Sequence, residues 1–323
     1  MNKYATTMII NALRNKDQDL SQLEKTVKEN SQKYSIIPTY NPNEVKGIIE
    51  RAFFDGYLNI IVFVGGDTTL HYVVNETMNI EDKPDFVIAA IPYKYGRRGK
   101  TSGNDFSGPV LNICNREEGI DALRHFYKNP KNIVYADVGL FQVKDQSGKN
   151  IFEKYFIHSA GGGQSGLANR YREKLKIGYT LAGILAALKG PYNMKIKING
   201  RTYILNPYDR ERLFNINNGP EFGNGILIAP DANPSDGVYD ATIVENCNFF
   251  KVLFLLLMAK KGKDVVKKSN RIHYFKDVKK LEVEADKPFP IQIDGEDYPI
   301  HYPDSNIIYS IEHTGKQLPF VKR

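Results

Sequence analysis

Two carboxylates lie close together near the C-terminal end of the sequence, where Ile291-Gln292-Ile293 is followed by Asp294-Gly295-Glu296. A carboxylate within hydrogen-bonding distance of a hydroxyl can accept its proton, so Asp294 and Glu296 are candidates for general base chemistry. A strand followed by a tight hairpin turn explains the same residues without any chemistry. The local pattern by itself favours that structural interpretation.

A second candidate is the glycine-rich segment Gly65-Gly66-Asp67-Thr68-Thr69, which follows an apolar segment at 59–64. Two glycines allow backbone N–H groups to approach a phosphate without interference from Cβ atoms, and a helix beginning here would favour negative charge. Asp67 could order the turn or hold Mg²⁺. An ordinary strand-to-helix turn explains this short motif equally well.

A polar loop from Pro92 to Phe106 follows the next apolar segment, 86–91. It contains Arg97, Arg98 and Lys100, which could contact phosphate, although a solvated basic loop is the default interpretation. In open α/β sheets, ligands bind beyond the carboxyl ends of the strands. Two loops at that edge of one sheet make a nucleotide site the favoured interpretation.

The elements that carry these loops alternate between strand and helix. Apolar segments at 7–10, 35–37, 59–64 and 86–91 are predicted strands, and helical patterns lie between them. The segment 59–64 has no polar alternation, which is typical of a strand covered on both faces. This βαβα order predicts a doubly wound parallel sheet.

From Tyr127 onward the pattern becomes mostly extended. Segments at 135–143 and 151–159 form one predicted hairpin, and Asn199-Gly200 is the strongest turn signal of a second. Helices are predicted at 179–188 and in the apolar segment that begins at Phe249. The second half is therefore predicted to be antiparallel β, as a sandwich or flattened barrel.

Length and charge limit the class of protein. The 323 residues exceed the roughly 100–200 of a typical domain, so two domains are expected. A net charge of +7 favours anionic partners. Two cysteines exclude a disulfide framework, and the longest apolar run falls short of the roughly 18–20 residues that span a bilayer. We therefore expect a cytoplasmic protein, and nucleic-acid binding lacks a module signature.

Several blocks of the sequence, taken in order, resemble the bacterial diacylglycerol kinase family, which also includes sphingosine kinases. They cover most of the chain and are Gly65–Thr69, Ser102–Phe106, Ala160–Gly163, Asn217–Gly219, Leu227–Ala232, Ser235–Asp240 and Ile293–Glu296.

The resemblance implies two domains. A nucleotide domain like that of phosphofructokinases and NAD kinases would comprise residues 1–127 and 304–323, with Asn306 to Glu312 as a returning strand. A β-sandwich on the lipid side would comprise 128–303. ATP and Mg²⁺ would bind in the cleft, and the acceptor would be a hydroxyl of diacylglycerol or a related lipid. This implies peripheral association with an anionic membrane, a role in phospholipid biosynthesis, and compatibility with a homodimer.

The resemblance also implies roles for individual residues. Asp294 would orient or deprotonate the acceptor hydroxyl, supported by Glu296. Asp236, with the carbonyl of Val238, resembles a structural Mg²⁺ site. The residues implied in nucleotide binding are Asn11, Gly65, Gly66, Asp67, Thr68, Thr69, Thr101, Gly103, Asn104 and Asp105.

The nucleotide side departs from the family pattern. Ala12 stands where the family has proline, and Thr68 replaces the third glycine of Gly-Gly-Asp-Gly-Thr. Thr68 would be strained if that position needs a positive φ. His71-Tyr72 replaces an Asn-Glu pair, and His71 could contact phosphate. These departures motivate two alternatives, a pseudokinase that binds lipid or nucleotide in a regulatory role and a kinase for a soluble acceptor.

The lipid side has two candidate segments. The helix at 178–188 could line an acyl-chain cleft, or cover the core of the sandwich. Phe249 to Leu257, followed by Lys260 and Lys261, could rest on an anionic membrane surface or form a packed helix with a solvated basic end.

Overall fold

The computed structural model of the protein describes residues 3–13, 19–41, 44–92, 104–189, 191–203, 211–223, 225–261, 265, 269–299 and 307–323. The chain forms two compact units. The first comprises Met1–Ala136 and Gln317–Arg323, and the second comprises Asp137–Lys316. The predicted division, by contrast, assigned residues 128–136 to the second domain and 304–316 to the first.

The first unit alternates strands and helices. Its elements are β1 (Tyr4–Asn11), α1 (Ser21–Asn30), β2 (Lys33–Thr39), α2 (Glu44–Ile49), β3 (Leu58–Val64), α3 (Asp67–Met78), β4 (Phe86–Ile91) and α4 (Arg116–Lys128). The strands lie in the order β2-β1-β3-β4 and all pair in parallel. Residues 59–64 of β3 are all buried, which explains the absence of polar alternation in that segment.

The remaining elements are mostly strands. They are β5 (Ile133–Lys144), β6 (Asn150–Phe156), β7 (Ser159–Gly163), α5 (Gln164–Leu175), α6 (Tyr179–Ala187), β8 (Met194–Ile198), β9 (Arg201–Tyr203), β10 (Glu211–Asn217), β11 (Glu221–Phe222), β12 (Ile226–Leu227), β13 (Tyr239–Glu245), α7 (Phe249–Lys260), β14 (Ile272–Val278), β15 (Lys280–Ala285), β16 (Ile291–Ile293), β17 (Glu296–Tyr298) and β18 (Ile307–Val321). No helix among the described residues combines the length and apolarity needed to cross a membrane.

The second unit has two layers of antiparallel strands. One sheet has the order β14-β13-β10-β7-β16-β17. In the other layer β18 pairs with β15, β15 with β8 and β8 with β9, and the β5–β6 hairpin adds to β18. A shared apolar core includes Phe214 and Ile243 from the first sheet and Leu281 and Tyr309 from the second layer. This arrangement is the predicted β-sandwich.

The returning segment lies further along the chain than the predicted Asn306 to Glu312. Ile307 to Glu312 pair with β15 in the second unit, and the residues that belong to the first unit are Gln317–Arg323. Phe320 there pairs in parallel with Ile88 of β4. One strand of 15 residues therefore contributes to both units. The apolar pattern of the sequence indicates where this strand begins, but not the point at which the chain passes from the second unit to the first.

Candidate active site

The glycine-rich turn lies between β3 and α3 in the first unit. The Gly65 N–H donates to the carbonyl of Ile91 at 3.1 Å, which ties the ends of β3 and β4 together. A Cβ atom on Gly65 would lie 2.3 Å from Thr69 Oγ1, so the turn requires glycine there. Gly66 is the N-cap of α3, in an extended conformation and with no side-chain cap. The positive end of the α3 dipole therefore lies at this turn.

Asp67 joins this turn to the loop after β4. Its carboxylate is buried, with 8% exposed, and accepts a hydrogen bond from the Asp105 N–H at 2.9 Å. The Asn104 side chain lies 3.5 Å from the carbonyl oxygens of Ile113 and Cys114. Asp67 therefore orders the two loops, one of the roles its position suggests. Thr101, Gly103 and the predicted cations Arg97, Arg98 and Lys100 lie outside the described residues.

Thr68 lies in the first turn of α3 and has no positive φ. The strain considered for a threonine at this position is therefore absent. His71 is fully buried on the same helix, with its ring at 5.5 Å from that of Tyr72. The burial of His71 gives no support to the suggestion that it contacts phosphate.

Asn11 is the last residue of β1 and lies opposite Thr39 of β2. The register between β1 and β3 aligns Ile10 with Val64, so Asn11 is level with Gly65 at the carboxyl edge of the sheet. Asn11 and the two predicted loops, after β3 and β4, thus lie at this one edge. This is where ligands bind in open parallel sheets.

In the second unit, Asp294 and Gly295 form the two-residue turn between β16 and β17. Their φ angles are 49° and 82°, and two positive values define a type I′ hairpin turn. The structural interpretation of this motif as a hairpin is therefore confirmed. Asp-Gly is a preferred pair for this turn, and the surrounding contacts offset the remaining cost of a non-glycine residue in the left-handed region, which is of the order of 1 kcal/mol.

The Asp294 carboxylate is buried, with 3% exposed, and accepts hydrogen bonds from consecutive backbone N–H groups. The donors are Ile157 at 3.2 Å to Oδ2, and His158 and Ser159 at 2.9 and 3.1 Å to Oδ1. The Asp294 N–H donates in turn to the Ser159 carbonyl at 2.7 Å. Three backbone donors on one side and the Asp294 N–H on the other hold this carboxylate in one orientation.

Two arginines of α5 face the same hairpin. Arg170 Nε lies 3.0 Å from Asp297 Oδ2, and Arg172 Nη2 donates to the Gly295 carbonyl at 3.4 Å. Burial raises the pKa of Glu173, and the nearby half-buried Glu296 acts in the same direction. Neither arginine could be predicted as a site residue, because the sequence pattern did not indicate the helix at 164–175. The only indication of them in the sequence is that two arginines follow soon after the glycine block Ala160–Gly163.

Asp236 lies in the turn before β13. Its Oδ1 accepts from the Val238 N–H at 3.2 Å, and the Gly237 N–H donates to Asp137 Oδ2 at 2.8 Å. Partial burial raises the pKa of Asp236, and the neighbouring Asp137 and Asp277 add to the effect. The described residues contain no group of three or more His, Cys, Asp or Glu side chains arranged to hold a metal ion. A Mg²⁺ site at Asp236 and Val238 stays a prediction.

The parallel sheet with its glycine turn, followed by a β-sandwich with a fixed carboxylate, is the architecture of a kinase class. Residues 6–125 match the model of the diacylglycerol kinase catalytic domain. Residues 164–306 match the model of the YegS C-terminal NAD kinase beta sandwich-like domain. The chain belongs to the bacterial diacylglycerol kinase family of lipid kinases.

Individual relatives are distant but cover much of the chain. Over 246 residues the chain is 27% identical to the diacylglycerol kinase of Bacillus subtilis (strain 168), covering 74% of this chain and 71% of the relative. Its fold is similar to that of a diacylglycerol kinase crystal structure from Bacillus anthracis str. Sterne, with a TM-score of 0.64, 18% identity and coverage of 99% and 97%. The yeast NADH kinase complexed with NADH gives a TM-score of 0.53, 11% identity and coverage of 100% and 84%. These likenesses confirm the predicted fold class.

Proposed function

We propose that the protein transfers the γ-phosphate of ATP, with Mg²⁺, to a hydroxyl of diacylglycerol or a related lipid. The observation that carries this proposal is the Asp294 carboxylate, fixed by consecutive backbone N–H groups. As the acceptor oxygen bonds to phosphorus, its O–H bond breaks and Asp294 takes the proton, while the bond from phosphorus to the bridging oxygen breaks and ADP leaves. Phosphoryl transfer depends mainly on such positioning and on charge stabilisation.

The first unit supports the nucleotide part of the proposal. The glycine turn precedes a helix of 12 residues, and Gly65 has no room for a side chain. Backbone N–H groups and a helix dipole are suited to phosphate oxygens. Mg²⁺, when bound, would neutralise charge on the transferred phosphoryl group. Since Thr68 is helical without strain, the departure at this position gives no support to the pseudokinase alternative.

The second unit supports a lipid acceptor over a soluble one. Large apolar side chains at the end of α5, on α6, just after α6 and on α7 are exposed, with Phe250 at 78%. The others are Leu175, Leu181, Leu188, Phe254 and Leu257. The sequence has lysines but no acidic residue in 174–189 and in 246–263. Apolar helices with only basic charges suit the surface of an anionic bilayer.

The test is phosphorylation from labelled ATP with Mg²⁺ across a panel of diacylglycerol, other lipid alcohols, glycerol and a nucleoside. We expect wild-type transfer to a lipid and a loss of about 10²–10⁴-fold in kcat for Asp294→Asn. Asp121→Asn, on the exposed side of α4, is the matched control and should leave the rate unchanged. Equal yields from wild type and Asp294→Asn would remove Asp294 from the reaction. Transfer to glycerol or the nucleoside alone would support the soluble-acceptor alternative.

A further inference from the structure

Three fully buried amide side chains lie beside the turn that carries Asp294. They are Gln292 on β16 and Asn215 and Asn217 on β10, and each is 0% exposed. Strand β7 separates β16 from β10 in the sheet. Buried amides require hydrogen-bond partners, because an unsatisfied one costs about 1–3 kcal/mol.

These amides form a directional chain of hydrogen bonds that begins at the turn. The Gly295 N–H donates to Gln292 Oε1 at 3.0 Å, and Gln292 Nε2 donates to Asn215 Oδ1 at 2.9 Å. Asn215 Nδ2 donates to Asn217 Oδ1 at 2.6 Å, and Asn217 Nδ2 lies 3.5 Å from the Asp240 carbonyl. In each amide, the oxygen accepts a hydrogen bond from the group nearer the turn, and the nitrogen faces the group further from it. The neighbouring groups therefore fix the orientation of each amide.

Gly161 of β7 explains how the chain crosses the intervening strand. In the register of the sheet, Gly161 lies opposite Asn215 on one side and opposite Gln292 on the other. A Cβ atom on Gly161 would lie 2.4 Å from Asn215 Oδ1, in the path of the Gln292–Asn215 contact. The adjacent Gly162 points the other way, since a Cβ atom there would meet the Phe289 ring at 2.5 Å. The glycine block in β7 thus makes room for polar contacts on one face and aromatic packing on the other.

We infer that Gln292, Asn215 and Asn217 are positioning residues for Asp294. The chain holds the Gly295 N–H, and with it the left-handed turn that aims the Asp294 carboxylate at its backbone donors. The inference rests on the proposed function for the role of Asp294, and adds the residues that keep it in place. Asp-Gly itself favours this turn, and the chain adds to that preference. Without the chain the partly buried Gly295 N–H loses its acceptor, so the turn is held less firmly.

The test compares Gln292→Leu with Asn215→Asp. The second change is isosteric and replaces the Asn215 Nδ2 donor by a carboxylate oxygen, so that two acceptors face each other at Asn217 Oδ1. For both variants we expect kcat to fall by up to about 10²-fold with the KM for ATP unchanged, as misplacement of a reacting group predicts. Hydrogen exchange at the Gly295 amide should accelerate by about tenfold. Ile216→Val is the matched control, since Ile216 lies between the two asparagines but packs into the apolar core on the opposite face.

Two results would overturn the inference: a kcat equal to that of Ile216→Val in both variants, or unchanged exchange at Gly295. Unfolding temperatures of all three variants separate turn effects from loss of fold. If Asp294→Asn were as active as wild type, the proposed function of Asp294 would fail. The Gly295 exchange rate would then still decide whether the amide chain holds the turn.

Discussion

At the scale of single residues, burial and the neighbouring Tyr274 and Lys276 have opposite effects on the pKa of the Asp240 carboxyl. The Asp240 carboxylate accepts a hydrogen bond from the Tyr274 hydroxyl. Burial raises the pKa of Asp240, whereas the Tyr274 hydrogen bond and the charge of Lys276 lower it. The Tyr274 hydrogen bond therefore stabilises the ionised form of Asp240 more than the protonated form. Its contribution to the stability of the protein consequently depends on pH.

Tyr274→Phe should destabilise the protein more at pH 7 than at pH 4. The variant removes the donor, so the pKa of Asp240 rises further, and the ionised buried carboxylate at pH 7 costs about 1–3 kcal/mol. As pH falls through the raised pKa, the folded protein protonates Asp240 and the loss shrinks. Urea unfolding at both pH values measures the difference. Tyr203→Phe, in a ring pair with Phe275, is the control, and an equal loss for Tyr274→Phe at both pH values would contradict the prediction.

At the scale of elements, Arg212 of β10 fixes the two apolar helices to the sandwich. Its Nη1 donates to the Ala187 carbonyl at the end of α6 at 3.1 Å, and its Nη2 donates to the Cys247 carbonyl just before α7 at 2.6 Å. Burial lowers the pKa of this guanidinium. The exposed apolar side chains therefore lie on helices whose ends are held by hydrogen bonds to the sandwich, which is consistent with the membrane contact that we propose.

Phe250→Ser with Phe254→Ser should weaken binding to vesicles of phosphatidylserine and phosphatidylcholine. A buried phenylalanine contributes about 1.5–3 kcal/mol, so losing two should reduce partitioning by at least about 100-fold. Both side chains are exposed, at 78% and 56%, so the unfolding temperature should change little. Tyr40→Ser, exposed in the first unit, is the control. Vesicle co-sedimentation unchanged by the double variant would exclude this face as the membrane contact.

Local signals determined which elements the sequence could predict. The uniform apolar segment of β3 and the Asn199-Gly200 turn are encoded within a few residues, and both were predicted correctly. Helix α4 was missed because it begins with charged residues, although Ile120, Leu123 and Phe126 have helical spacing. The donors of the Asp294 carboxylate at 157–159 are more than 130 residues away in sequence. No local pattern encodes such long-range contacts, so the residues around Asp294 could not be predicted.

At the scale of the whole molecule, β18 contributes to both units, and its last residues complete the first. Phe320 is fully buried, pairs with Ile88 of β4, and packs its ring 5.1 Å from that of Phe106. Arg323 Nη1 forms an ion pair with Glu118 of α4 at 2.6 Å. The stability of the glycine turn therefore depends on residues at the opposite end of the sequence.

Phe320→Ala should destabilise the first unit selectively, by about 3–5 kcal/mol for a buried phenylalanine. Hydrogen exchange should accelerate in β1, β3 and β4, while the β15–β18 pairs such as Leu281 with Ile311 keep their protection. Ile311→Val, in the part of β18 that belongs to the second unit, is the matched control and should cost only about 0.5–1.5 kcal/mol there. Equal acceleration in both units after Phe320→Ala would mean that they unfold as one cooperative body. Because the glycine turn joins β3 to α3, a selective loss should disturb this turn, and with it the ATP binding that we propose, before it affects the Asp294 hairpin.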